Sequence, residues 1–393
     1  MDIDNIKDMY GKYVLATYAR QEMCLVKGDG VWVWDIDGKK YLDFFPGWAV
    51  SGIGHRHPRV IRRLEEQIGK ILHVSNNYYN DVQPFLAEKI IGHSFPGKVF
   101  FANSGAEANE CAIKLARRYG SPERYEIITM ERSFHGRTLA TLTATGQDKV
   151  KNGFSPLPEG FKHVPFNDIK AFEKAVTPRT VAVLIEPIQG EGGINVPDAG
   201  YMRELKDICV RKDMLFMVDE VQTCMGRTGE MFAYKHFGIE PDVMTLAKSL
   251  GGGLPIGAAV IADKYSGVLS AGTHASTFGG SPVICAAALG VFEAIEEEGL
   301  IGNAVRMGEY IAEKLGRMKK VNPVIEEIRG KGLMIGVKLG VADASGIAER
   351  CREDGLLINC TQKNVLRIMP PLTVTKENID MAMEKISKAL GGS

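Results

Sequence analysis

Six short apolar runs constrain this chain more than any other feature. "KVFFA" (98–102), "EIITM" (126–130), "VAVLIE" (181–186), "MLFMV" (214–218), "VMTLA" (243–247) and "AAVIA" (258–262) are apolar at successive rather than alternate positions. A strand with one wet face alternates, so continuous apolarity indicates strands covered on both faces. Helix-period stretches lie between several of them, including "AEANECAIKLARRY" (106–119) and residues 198–211. The pattern predicts an α/β fold in which helices cover both sides of a largely parallel sheet.

A chain of 393 residues is too long for one compact core. Near residue 281 the pattern changes to a long helix, "SPVICAAALGVFEAIEEEG". An amphipathic helix (303–319), short strands "LMIGVKLG" and "VLRIM" and a last helix (376–390) follow. We therefore expect a large domain over 56–297 and a smaller α+β domain over 298–393. Residues 1–55, with the hairpin-like "GVWVWDIDGKKYLDF", are expected to pack with the smaller one.

The 48 basic residues balance the 48 acidic ones, so no global field favours nucleic acid or an anionic membrane. The seven cysteines contain no C-x-x-C pair and read as reduced thiols of a cytoplasmic protein. The acidic start lacks the apolar core of a signal peptide, and the longest apolar run is far short of a membrane span. Small-molecule chemistry is the expectation.

Ligands of a parallel sheet collect beyond the carboxyl ends of its strands, and three such ends carry useful chemistry. In "VFFANSGAEAN", Ser104, Gly105 and Ala106 lie between a strand and a helix, where free N–H groups can hold a phosphate. Ser104 with Glu107 also forms a capping box, which needs no ligand. In "MLFMVDEVQ", Asp219 and Glu220 end a strand, and an unpaired carboxylate there is costly. In "VMTLAKSLGGG", Lys248 follows a strand; alone it reads as a lysine reaching for solvent. The chain has no G-x-x-x-x-G-K-[ST] loop and no G-x-G-x-x-G after a strand, which argues against nucleotide and dinucleotide chemistry. Lysine, carboxylate and phosphate cradle together match what pyridoxal 5'-phosphate requires.

The order of motifs "GHRHP", "NSGAEAN", "SFHGRT", "EPIQGEGG", "DEVQTCMGRTG", "TLAKSLGGGLPIGA", "THASTFGGSP" and "VLRIMPPL" resembles the subgroup III, fold-type I aminotransferases over nearly the whole chain. The resemblance implies that Lys248 forms a Schiff base with pyridoxal 5'-phosphate and moves the proton, while Asp219 holds the pyridine nitrogen protonated. It implies phosphate binding by Ser104, Gly105 and Ala106, a ring-hydroxyl contact from Gln222 and stacking by Phe134. Thr277 would reach the cofactor phosphate of the neighbouring subunit, implying a homodimer with shared active sites.

For the substrate, the resemblance assigns Arg137 to the distal carboxylate and Arg367 to the near carboxylate of glutamate. Glu191 would pair with Arg367 when the amine donor binds, and Ser276 and Trp48 would line the substrate. It is nearest to family members that take the terminal amine of N2-acetylornithine to 2-oxoglutarate, a step of arginine biosynthesis. Succinylornithine, acetyl-lysine, ornithine and 4-aminobutyrate are the alternative donors. Trp48 departs from the pattern, standing where a small aliphatic residue or a tyrosine is usual, and Cys224 replaces a glycine.

Other conspicuous residues carry plainer expectations. His55 and His57 lack a carboxylate or thiolate at ligand spacing, so no metal is expected. Met214, Met217 and Met231 read as packing, and Trp32 and Trp34 alternate as strand residues. An oxidoreductase would need the missing dinucleotide fingerprint, and a non-enzymatic relative would have lost the lysine, the carboxylate or an arginine.

Overall fold

The computed structural model of the protein describes residues 2–391. A seven-stranded sheet runs in the order Gly97–Ala102, Gly257–Ala262, Val243–Leu246, Leu215–Asp219, Thr180–Ile185, Glu126–Met130, Phe161–Val164. Every expected apolar run is a strand of it. Residues of Thr180–Ile185 and Leu215–Asp219 are buried throughout, as continuous apolarity requires. Successive side chains enter opposite layers: Leu215 and Met217 pack with Cys111 and Leu115, whereas Phe216 and Val218 face the core formed with Phe292 and Leu250.

Gly257–Ala262 runs antiparallel to both its neighbours, and the other pairings are parallel. Residues 247–256 are too few for a parallel crossover, which needs about a dozen residues or more. The chain therefore reverses, and Gly252 and Gly253 take φ of 58° and 117° in that reversal, values that a side chain would oppose. The edge strand Phe161–Val164 escaped the sequence reading because "FKHV" is half polar and only partly buried.

Gly105–Gly120 packs on the inner strands from one side, and Pro282–Glu297 crosses Pro58–Ile68 on the other. The smaller region has an antiparallel sheet ordered Ile325–Lys331, Met334–Leu339, Val365–Ile368, Asn359–Thr361. Helices Leu300–Val321, Ser345–Glu353 and Lys376–Ala389 pack around it. Thr375 caps the last of these by accepting from the Asn378 N–H at 3.3 Å.

The N-terminal strands Leu25–Asp29, Trp32–Asp35 and Lys40–Asp43 form a meander. Its last strand takes Leu356–Leu357 as a parallel neighbour. Phe44 continues the link, accepting from the Met369 N–H at 2.8 Å. Met214, Met217 and Met231 are core residues, as packing required. His55 and His57 turn to separate carboxylates, Asp43 at 2.8 Å and Glu298 at 3.4 Å, and among the described residues no cluster of three potential metal ligands forms.

Candidate active site

The carboxyl ends of the central strands open into a cavity of about 520 Å³. Asp219 is the last residue of its strand and is 3% exposed. One carboxylate oxygen accepts from Asn109 Nδ2 at 2.8 Å and from His135 Nδ1 at 2.7 Å. The other accepts from the Val221 N–H at 3.0 Å. A carboxylate only accepts, so His135 carries its proton on Nδ1. His135 Nε2, also buried, has no hydrogen-bond partner among the described residues.

Lys248 lies two residues past the end of its strand rather than on it. It lines the same cavity and holds a left-handed φ of 48°, a conformation costing a non-glycine residue ~1–3 kcal/mol and typical of functional sites. Burial lowers its amine below the ordinary lysine value; Glu191 and Asp219 pull the other way by charge, and Arg367 adds to the lowering. A neutral amine, the nucleophilic form, is thereby favoured.

Ser104 caps Gly105–Gly120, accepting from the Glu107 N–H at 3.2 Å. The reciprocal bond lands one residue early: the Glu107 carboxylate accepts from Asn103 N–H at 2.5 Å. The glycine at 105 has a packing reason besides anion approach, since a Cβ there would meet Val221 Cγ1 at 2.8 Å. Phe134, Arg137, Glu191 and Gln222 complete the wall with Ser104, Gly105, Ala106, Asp219 and Lys248. The Arg137 guanidinium stands 5.5 Å from the Phe134 ring centroid.

Arg367 is set behind the wall. Its side chain is 0% exposed and its Nη1 meets Glu191 Oε1 at 2.6 Å; Nη2 donates to Asn359 Oδ1 at 2.7 Å. Its guanidinium lies 4.6 Å from the Phe45 ring centroid and 5.3 Å from that of Trp48. Burial alone would raise Glu191, but the charge and hydrogen bond of Arg367 outweigh it and hold the carboxyl below its ordinary value.

Three expected residues stand apart. Ser276 reaches the site only through Asn103, whose Nδ2 donates to its hydroxyl at 3.2 Å. Thr277 is exposed and outside the lining, and Trp48 is 51% exposed with a φ of 64°. Asn109, His135 and Glu186 line the cavity but were missed. All three sit within motifs of the family series, "NSGAEAN", "SFHGRT" and "EPIQGEGG", and a polar residue inside an apolar helix face was the available signal for Asn109.

An aminotransferase class-III family profile matches residues 15–390. The chain belongs to that family. Acetylornithine aminotransferase of Caldanaerobacter subterraneus subsp. tengcongensis is 50% identical over 96% of this chain and 97% of its own. That of Methanocaldococcus jannaschii is 48% identical over 99% and 98%. Among solved structures, ornithine aminotransferase of Toxoplasma gondii superposes with a TM-score of 0.95 at 34% identity, covering 99% of this chain and 95% of that one. Acetylornithine aminotransferase of Elizabethkingia anophelis gives 0.88 at 31%, covering 99% of each.

Proposed function

We propose that the protein transfers the terminal amino group of N2-acetylornithine to 2-oxoglutarate, giving N-acetylglutamate 5-semialdehyde and glutamate, with pyridoxal 5'-phosphate as cofactor. The observation that carries the reading is the meeting of Lys248, Asp219 and the Ser104–Ala106 helix start in one cavity, in a chain 45–50% identical to curated acetylornithine aminotransferases. Buried Gln222 Oε1 and His135 Nε2 are without partners among the described residues, as expected where polar atoms of a cofactor and its contacts belong.

When bound, the cofactor supplies a carbonyl carbon that carries the amino group and a ring that draws electrons from the carbon losing its proton. Lys248 would hold the cofactor through its amine and would move the proton at the reacting carbon. Asp219, steadied by Asn109 and His135, holds the proton on the ring nitrogen. Ser104, Gly105 and Ala106 hold the phosphate, Gln222 the ring hydroxyl, and Phe134 covers the ring face.

Two unlike partners must fit one pocket. The α-carboxylate of acetylornithine lies far from the reacting amine, whereas glutamate brings one carboxylate near and one far. Arg137 serves the distal carboxylate and Arg367 the near one. With acetylornithine bound, Glu191 stays on Arg367 as the structure has it; with glutamate it gives way. A fixed pair bracing two parts of the chain is the competing account of that contact.

We further read the chain as a cytoplasmic homodimer of the arginine-biosynthetic step. The small domain is taken as 298–393, with 1–55 packed on it through the Lys40–Asp43 and Leu356–Leu357 pairing, and the large domain as 56–297. Thr277 would then complete a partner's site from a surface segment where Phe278 is 61% exposed. Asn76 ties that segment to the one bearing exposed Tyr78 and Tyr79, and grouped exposed aromatics suit an interface. Ornithine as donor is the second reading, favoured by exposed Trp48 beside Arg367. Steady-state rates across acetylornithine, succinylornithine, acetyl-lysine, ornithine and 4-aminobutyrate with 2-oxoglutarate decide between them, and the proposal fails if acetylornithine does not give the highest kcat/KM.

A further inference from the structure

Glu186 is the one cavity-lining carboxylate with no role in the reading above. It follows the Thr180–Ile185 strand, is 6% exposed and makes no ion pair among the described residues. Each of its oxygens instead accepts one backbone N–H from a different loop: Oε2 from Phe134 at 3.0 Å and Oε1 from Gly190 at 3.1 Å. The first loop presents Phe134 to the cavity, and the second presents Glu191, the residue after Gly190.

We infer that Glu186 is a positioning residue whose carboxylate spans the two loops and sets Phe134 against the cofactor ring in register with Glu191. This rests on the assignment of Phe134 to the ring face. The geometry suits a carboxylate and no isostere: both bonds are charge-assisted, and two acceptor oxygens face two donors. Glutamine would strip the charge from both bonds and turn an NH₂ toward one of the two N–H groups, loosening both loops. The titratable groups facing Glu186 are His135, Asp219 and Lys248. Burial pushes its carboxyl up to about 7, with Asp219 adding to the rise and His135 and the two N–H bonds opposing it. The charged clamp is therefore complete above neutrality and is lost as pH falls through that value.

The test is titration of apoprotein with pyridoxal 5'-phosphate, read by absorbance, for wild type, Glu186→Gln, Phe134→Ala and the double variant. A lost charge-assisted bond should weaken cofactor affinity roughly 10- to 100-fold in Glu186→Gln. In the Phe134→Ala background the same change should add little, because it acts through Phe134. The decline in wild-type affinity from pH 8 to 6 should be steeper than in Glu186→Gln. Hydrogen exchange of peptides covering 133–137 and 188–193 should rise together in the variant and nowhere else. If Glu186→Gln does not fold, Glu186→Asp, which keeps the charge but reaches one loop only, should free one peptide and not the other. Wild-type affinity in both Glu186 variants, or full additivity with Phe134→Ala, would overturn the inference. Unchanged affinity in Phe134→Ala alone would instead overturn the assignment of Phe134.

Discussion

On the sheet side of the cavity, Asp219, Asn109 and Glu186 are buried, and both oxygens of Asp219 and of Glu186 are occupied by donors. On the far side stand Trp48, half open to solvent, and the Arg367–Glu191 pair, whose guanidinium still has a buried Nε without a partner among the described residues. The first side comes from strand ends of the main sheet and the helix Gly105–Gly120 packed on it. The second is assembled from the N-terminal segment, the antiparallel sheet of the C-terminal region and the loop after Thr180–Ile185 that bears Glu191. Chemistry common to every substrate calls for preorganised groups; a choice among substrates calls for groups with more than one arrangement. The comparison can be broken from either side.

The largest effect is expected on the sheet side. Lys248→Ala should bind cofactor yet lose turnover beyond the roughly 10²–10⁴-fold typical of a general acid–base group, because covalent binding and proton movement fail together. Near-native rates in single-turnover assays would remove the lysine from the mechanism. Asp219→Asn keeps the shape but not the charge, and should slow the amine and keto-acid half-reactions alike, by roughly 10²-fold or more. Slowing of only one would make Asp219 a substrate contact and blur the division.

On the far side, effects should discriminate rather than abolish. Glu191→Ala should raise kcat/KM for glutamate relative to acetylornithine, and Arg367→Ala should do the reverse, each by roughly 10- to 100-fold, since a hydrogen bond to a charged group contributes ~1.5–3 kcal/mol. Equal losses on both substrates would leave the pair a brace. Trp48→Ile should alter the acetylornithine-to-ornithine ratio by about 1–3 kcal/mol; an unchanged ratio returns Trp48 to packing.

The smallest effect is a pH shift that crosses between the sides. Burial already lowers Lys248, and Glu191 opposes that lowering by its negative charge. Glu191→Gln removes the opposition, so the midpoint for cofactor binding to apoprotein, followed by absorbance against pH, should move down. An unchanged midpoint would show the two sides to be electrostatically separate.

The sheet side was the more legible in sequence. Continuous apolar runs marked every strand that carries a site residue, and Asp219 and Lys248 stood out as charges at their ends. The antiparallel turn of "AAVIA" was not visible in composition, since it follows from the length of 247–256. Neither Arg367–Glu191 nor Asp219–His135 could be paired from spacing, because each joins residues distant in the chain. Only the family resemblance suggested the first, and nothing suggested the second. Glu186 looked like one more strand-end charge until its two backbone donors were seen.

The pairing of Lys40–Asp43 with Leu356–Leu357 also orders events in time. While the chain is being made, the hairpin's open edge waits for a partner more than three hundred residues away in sequence. At 5–20 residues per second that is roughly 15–60 s. Trp48, five residues past that strand, cannot meet the Arg367 guanidinium any sooner. The strand ends holding Asp219 and Lys248 are synthesised well before then. A nascent chain would thus gain the means to hold its cofactor before it gains the means to choose its amine, and a ribosome stalled between residues 300 and 350 would carry an incomplete enzyme with an unguarded β-edge at its N-terminus.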